Sequence, residues 1–296
     1  MKIGKYYTTQ NLVTWAKNGA TVLYDTLPSW CYPDRHLRFK AYCVGMAKTG
    51  TVSLHIMFSK HYRSAHEPDR RVLVHKILAM ANGKIDRNVL TSYIKHRDRR
   101  LGLEMDSSHL NYHLMNYHLI DILVSEFPEA RFILTIRDCY SWLDSATNFS
   151  LARPVFRDKH WSQRHLVALM RLRFRADELK HVKEEKVLAE HGFYTLDGYF
   201  SFWKEHNSKI LATVPKEQLL VVKTSEINQR TQEIESFLQI PTGSLPIQVR
   251  GNVAHKKFHI LSKIDRDFLE EKANLHCKDL MDKYFPEVRG LSDVLN

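Results

Sequence analysis

The stretch CVGMAKTGTVSLHIMF, from Cys43 to Phe58, constrains this chain more than any other. A short apolar run ends in a turn of small residues, and an amphipathic pattern follows at once. That order reads as a buried strand, a tight loop and a helix. Such a unit aims consecutive backbone N–H groups and a helix N-terminus at one point, which is a ready site for an anion. Thr49, Thr51 and Ser53 add hydroxyl donors around it. The usual nucleoside-triphosphate loop, GxxxxGK followed by Ser or Thr, places its lysine directly after the last glycine. Here Thr51 follows Gly50, and the lysine, Lys48, stands two positions before that glycine. The loop therefore suits a phosphate or a sulfate but lacks the usual lysine for a β/γ-phosphate pair.

The rest of the chain repeats the strand-then-helix order. Strand patterns cover residues 39–45, 61–65, 101–106, 131–137 and 218–223. Helical patterns run to about Lys60, from Arg70 to Met80, from Asn88 to Arg97 and from Leu110 to Phe127, where Pro128 closes the last. RFILTIR, at 131–137, is the clearest buried strand, with Asp138 placed to cap the helix after it. Long amphipathic helices are expected over about 160–190 and 195–213, another ending near Gln239, and a last one over about 263–284. Alternation of this kind predicts an α/β fold, a central parallel sheet flanked by helices, with ligands at the carboxyl ends of the strands. One domain over residues 1–296 is expected, with about 150–215 as a helical insertion over the sheet.

A second stretch, RFILTIRDCYSWLDSATNF from Arg131 to Phe149, has Arg137 at its strand end and Ser145 eight residues on. Eight residues is a little over two helical turns, so both groups can converge on one anion. Read alone, they are more commonly a sheet-edge cap and a solvent-facing hydroxyl. A third stretch, VRGNVAHKK from Val249 to Lys257, is a basic loop.

KTGT directly after a strand resembles the 5′-phosphosulfate loop of the sulfotransferases that use 3′-phosphoadenosine-5′-phosphosulfate (PAPS), P-loop enzymes of the prokaryotic-type soluble kind. Their usual loop has proline where Ala47 stands and a second Thr or Ser where Val52 stands, and their RDP is RDC here, with Cys139. Trp142 fits the family's common aromatic position. The resemblance implies that Lys48, Thr49, Gly50, Thr51, Val52 and Ser53 hold the phosphosulfate. It implies that Arg137 and Ser145 clasp the 3′-phosphate, joined by Arg250, with Lys257 in reserve, from the late basic loop. It also implies in-line transfer of a sulfuryl group to a hydroxyl or amine, with adenosine 3′,5′-bisphosphate as product and no metal required.

Lys48 is the natural partner of the leaving oxygen. A general base should take the acceptor's proton, and the resemblance puts it after the second or third strand. SAHEPD offers His66 and Glu67, and LEMDSSH offers His109, with Asp106 to orient a partner. Histidine suits the role because its pKa lies near neutrality, yet the chain holds 17 histidines and the sequence does not choose among these. The acceptor is expected to be a small molecule, a lipid or a sugar. Aromatics such as Trp161, Phe174, Tyr199 and Trp203 either line its pocket or, more commonly at helical spacing, form core.

The formal charge of +11 suits a polyanionic partner. Basic residues are spread along the chain with no long polybasic tail, which argues against nucleic acid. No apolar run approaches the roughly 20 residues of a membrane span. The first residues lack a signal-peptide core, and the four cysteines (Cys31, Cys43, Cys139 and Cys277) are scattered without metal-ligand spacing. A cytoplasmic enzyme is expected, as a homodimer if it follows its relatives. Two other readings stay open: a P-loop kinase or NTPase, with Asp106 on the strand that holds magnesium, and a non-catalytic polyanion-binding protein.

Overall fold

The computed structural model describes residues 41–66, 70–101, 105–107, 114–152, 176–249, 251 and 256–294. Among the described residues, five strands form one all-parallel sheet: β1 (Ala41–Cys43), β2 (Ser64–His66), β3 (Met105–Ser107), β4 (Arg131–Ile136) and β5 (Leu219–Lys223). Their order is β2-β3-β1-β4-β5. Across the centre, Cys43 pairs with Ser107 on one side and with Ile133 on the other. All five expected strands are present, each within a few residues of its expected bounds.

Strand parity sorts the apolar residues onto two faces. Tyr42, Val44, Phe132, Leu134 and Ile136 enter one core, while Ala41, Cys43 and Ile133 enter the other. The first face is covered by α2 (Arg70–Ala81), α3 (Arg87–Leu101), α4 (Leu114–Glu126), α5 (Cys139–Ala152), the short α6 (Lys186–Glu190), α7 (Leu196–Thr213) and α9 (Arg266–Tyr284). The second face carries α1 (Thr51–Ser59) and α8 (Thr231–Leu238). β4 is buried on both sides, which is why FILTI reads as a continuous apolar run rather than an alternating one.

This topology creates the crevice. From β1 the chain leaves through α1 towards β2, whereas from β4 it leaves through α5 and α7 towards β5. Right-handed crossovers in opposite directions must lie on opposite faces, and they do. β1 and β4 are neighbours, so their carboxyl-terminal loops part at the switch point where such sheets bind ligands.

Local signals account for several helix starts. Asp138 caps α5 by accepting from Ser141 N at 2.8 Å, as expected. Thr195 and Asp265 cap α7 and α9 in the same way, accepting from Gly198 N and Phe268 N. One expectation fails. The long helix over 160–190 is absent from the part of that stretch that is described: 176–179 and 183–185 are single 3₁₀ turns, and only Lys186–Glu190 is α-helical. The cause is Glu185, a fully buried carboxylate that accepts from Val182 N and from Leu196 N at 2.6 Å. It ties the turn to the start of α7 instead of letting the helix run through. From the 150–215 segment, α7 packs directly on α9, α4 and α5 as part of the helical layer.

The three described cysteines, Cys43, Cys139 and Cys277, are buried thiols. Among the described residues no helix is long and apolar enough to cross a membrane.

Candidate active site

The loop after β1 begins as a continuation of the sheet, with Val44 N donating to Ile133 O at 2.9 Å. Gly45 follows where no side chain fits: a Cβ there would lie 1.9 Å from Thr135 Oγ1 and 2.6 Å from Thr135 O. Lys48 (φ 67) and Gly50 (φ 96) then turn through the left-handed region and deliver the chain into α1. Leu54 N closes the first helical bond on Gly50 O, at 3.1 Å. The N–H groups of Thr51, Val52 and Ser53 thus precede the first intrahelical bond, and no side chain caps the helix. Those three residues, with Lys48 and Gly50, line a cavity of about 810 Å³ at the carboxyl edge of the sheet.

Four side chains hold the loop from behind. Trp142 Nε1 donates to Ala47 O at 3.0 Å. His206, on α7, bonds through Nε2 to Val44 O at 2.9 Å, so that nitrogen carries the proton. Burial lowers the His206 pKa to about 4, which keeps the ring neutral in that role. Thr224, just past β5, shares its hydroxyl between Thr49 O (2.8 Å) and Ile136 O (3.1 Å). Thr49 is itself turned inward and buried, its hydroxyl donating to Met46 O at 2.5 Å and meeting Thr135 Oγ1 at 2.7 Å.

Arg137, at the end of β4, reaches across to the loop. Its Nε donates to Ser141 Oγ at 2.9 Å and its Nη1 to Lys48 O at 3.5 Å, while Trp203 Nε1 holds its own carbonyl at 3.0 Å. Burial lowers the Arg137 pKa, opposed by Asp138 and Asp144. A guanidinium starts so high that it remains a cation throughout the working pH range. Ser145 and Lys257 line the same cavity. Next to Lys257, Phe258 N donates to Asn148 Oδ1 on α5 at 2.6 Å. Asp144 also faces the cavity, its pKa raised by burial and held back by Asn148, Lys257 and Arg137. The Lys48 ammonium lies 4.3 Å from the centre of the Phe149 ring.

The structure thus brings together Lys48, the run from Gly50 to Ser53, Arg137, Ser145 and Lys257. Thr49 is close in sequence but directs its hydroxyl into the core. Gly251 is packed against the start of α1, its N–H donating to Ser53 Oγ at 3.0 Å. Its neighbour Arg250 lies outside the described residues, as do Glu67 and His109. His66 closes β2 at the carboxyl edge, in register with Ser107 of β3, and does not line this cavity. Its ring centre is 5.6 Å from that of His55 on α1, and His55 Nδ1 is 2.9 Å from Ser64 Oγ. Burial lowers the His55 pKa. On β3, the Asp106 backbone pairs with that of Tyr42 on β1. Among the described residues no group of three or more His, Cys, Asp or Glu is arranged to hold a metal ion.

Sequence reasoning did not single out Thr224, Ser225, Asn228, Asp144 or Ser141, all of which line the cavity. The available signal was position, since TSE follows a strand and must emerge at the carboxyl edge.

A parallel sheet flanked by helices, with a strand–loop–helix turn opening into a cavity at its switch point, defines an α/β class with its site at the carboxyl edge. Within it, the chain belongs to the sulfotransferase family: the model of the sulfotransferase domain matches residues 40–242. Sulfuryl transfer is the general chemistry of that family. Among solved structures, a sulfotransferase from Alicyclobacillus acidocaldarius is similar at 17% identity, over 88% of this chain and 96% of that one, with a TM-score of 0.44. No curated protein matches in sequence.

Proposed function

We propose that this sulfotransferase draws its sulfuryl group from PAPS and places it on a hydroxyl or amine of a small-molecule, lipid or sugar acceptor. One observation carries the reading: a single cavity joins the Lys48 loop to Arg137, Ser145 and Lys257. A donor with a phosphosulfate and a separate 3′-phosphate needs two anion sites on either side of a nucleoside-sized space. A volume of about 810 Å³ is adequate for such a ligand. The cradle also fits. Gly50 is left-handed, and a Cβ on Gly251 would come within 2.9 Å of Val52 and 3.2 Å of Ser53 N, so bare backbone is required there.

In this reading the N–H groups of Thr51, Val52 and Ser53 and the Lys48 ammonium hold the phosphosulfate. Arg137 and Ser145, with Lys257 and Arg250 from the late loop, hold the 3′-phosphate. Bound there, PAPS supplies a sulfuryl group made transferable by its phosphate leaving group. Lys48 neutralises negative charge at the leaving oxygen, and the loop donors are fixed in advance by Trp142, His206 and Thr224, so they need no reorganisation. The positive charge comes from side chains, so the chemistry requires no metal. A base on the carboxyl edge takes the acceptor's proton. His66 is placed on that edge, and Glu67 and His109 remain its rivals. Residues 1–296 act as one sulfotransferase domain, a reading supported by Phe285, Glu287, Val288 and Val294, which lie beyond the matched region and line the same cavity.

The test is PAPS turnover against a panel of phenols, alcohols, sugars and amines in the presence of a metal chelator. Sulfation is expected, and Lys48→Ala should slow it about 100-fold or more. Turnover of ATP with magnesium, and none of PAPS, would replace this reading with that of a P-loop kinase or NTPase.

A further inference from the structure

Two of the cations that line the cavity, Lys48 and Arg137, come from different loops, and one helix meets both. Ser141, Ser145 and Phe149 are spaced four residues apart on α5, so their side chains follow one another along one side of it. Ser141 Oγ accepts from Arg137 Nε at 2.9 Å. Two turns further on, the Phe149 ring centre lies 4.3 Å from the Lys48 ammonium. At 1.5 Å per residue, the two contacts are about 12 Å apart along the helix axis.

Lys48 lines the cavity and Phe149 does not. The ring is only 4% exposed and packs with the small residues Ala47 and Ala146. It therefore meets the ammonium from the protein side, and the cavity meets it from the other. A lysine carries its charge on a flexible stem that a nearby carboxylate can capture. Three carboxylates stand among the described lining residues, Asp138, Asp144 and Glu287. Each has a partner of its own. Asp138 accepts from Ser141 N and Ser141 Oγ, and Glu287 pairs with Lys223 at 3.1 Å. Asp144 is hydrogen-bonded to Asn148 and faces the Lys257 charge. An aromatic face attracts an ammonium through its quadrupole within about 6 Å, and more strongly where water is excluded. Unlike a carboxylate, it leaves the net positive charge intact.

We infer that Phe149 is a positioning residue for Lys48, its ring face holding the ammonium on one side while the other side is turned to the sulfonated end of the donor. This rests on the donor reading above, in which Lys48 meets the leaving oxygen. Because the ring and the anion use opposite sides of the ammonium, the contact persists when the donor is bound. Ser141 ties Arg137 to the same helix, so α5 sets the distance between the two cations.

The test alters the ring's quadrupole while keeping its shape. Phenylalanines with increasing ring fluorination are placed at position 149 of the full chain. Calorimetry then compares adenosine 3′,5′-bisphosphate with adenosine 3′-phosphate, which lacks the group that Lys48 meets. The bisphosphate should bind progressively more weakly, about tenfold so with the pentafluorinated ring, and the 3′-phosphate should stay within about twofold. Phe149→Leu, which keeps the site apolar, should weaken the bisphosphate about fivefold. In a Lys48→Ala background, fluorination should change neither ligand by more than about twofold, because the coupling runs through the lysine. No dependence on fluorination, or an equal dependence with Lys48 removed, would overturn the role of Phe149 and leave the anion anchors standing. A wild type that binds neither ligand would instead bring down the donor reading.

Discussion

Lys48 holds a backbone conformation, φ 67, that costs a residue with a Cβ about 1 kcal/mol. The turn is what sets its carbonyl before Arg137 and its ammonium over Phe149. Glycine would adopt this backbone freely but carries no charge. Lys48→Gly should therefore be more stable than Lys48→Ala by about 1 kcal/mol, with both almost inactive. Scanning calorimetry beside PAPS turnover checks this, and a glycine variant that melts lower would show the turn to be unstrained. Arg137 uses two prongs of its fork, to Ser141 and to Lys48 O. A single ammonium cannot do both, so Arg137→Lys should weaken adenosine 3′,5′-bisphosphate about tenfold despite the kept charge. That Lys48, Arg137 and Ser145 would meet at one cavity was legible in sequence, because each follows a strand and so emerges at the carboxyl edge of the sheet. Thr49 was not, since its inward turn depends on Thr135, 86 positions away. His66 was placed correctly at a strand end, but its neighbour His55 comes from another element and follows only from the assembled sheet.

At the scale of elements, the loop is held by its neighbours more than by itself. Trp142 belongs to α5, His206 to α7 and Thr224 to the turn after β5, and each bonds a loop carbonyl. Trp142→Phe keeps the ring but leaves the Ala47 carbonyl unbonded, which should cost about 1–3 kcal/mol of stability and raise the KM for PAPS more than it lowers kcat. A urea titration and steady-state kinetics read both, and an unchanged KM would mean that the loop keeps its shape unaided. Gly45→Ala is expected to be far more damaging, because the added methyl would meet the Thr135 backbone carbonyl as well as its hydroxyl. The five strands and most helices could be read from periodicity and caps. The turns at 176–185 could not, because a buried carboxylate, Glu185, outcompetes a local pattern that otherwise suits a helix.

Over the whole molecule, two histidines make the fold sensitive to acid. Burial lowers His206 to about 4, and burial with the nearby Lys209 charge lowers His118 to about 4, from an ordinary 6.5. Below pH 6.5 the unfolded chain takes up protons that the folded chain refuses until about 4. Stability is therefore complete above about 6.5 and declines as the pH falls towards 4. His118→Phe should reduce that decline by about one proton's worth of slope in denaturation midpoints measured from pH 7 to 4.5. An unchanged slope would assign the loss to repulsion among the chain's +11 charges instead. The most direct measurement concerns the joined cavity itself: titration of adenosine 3′,5′-bisphosphate into the wild-type protein with a chelator present, repeated with Lys48→Ala and with a Ser145→Ala, Arg137→Ala double variant. Micromolar or tighter binding without metal, weakened from both ends, is the expected result. No binding, or binding that appears only with magnesium, would contradict a PAPS site between Lys48 and Arg137.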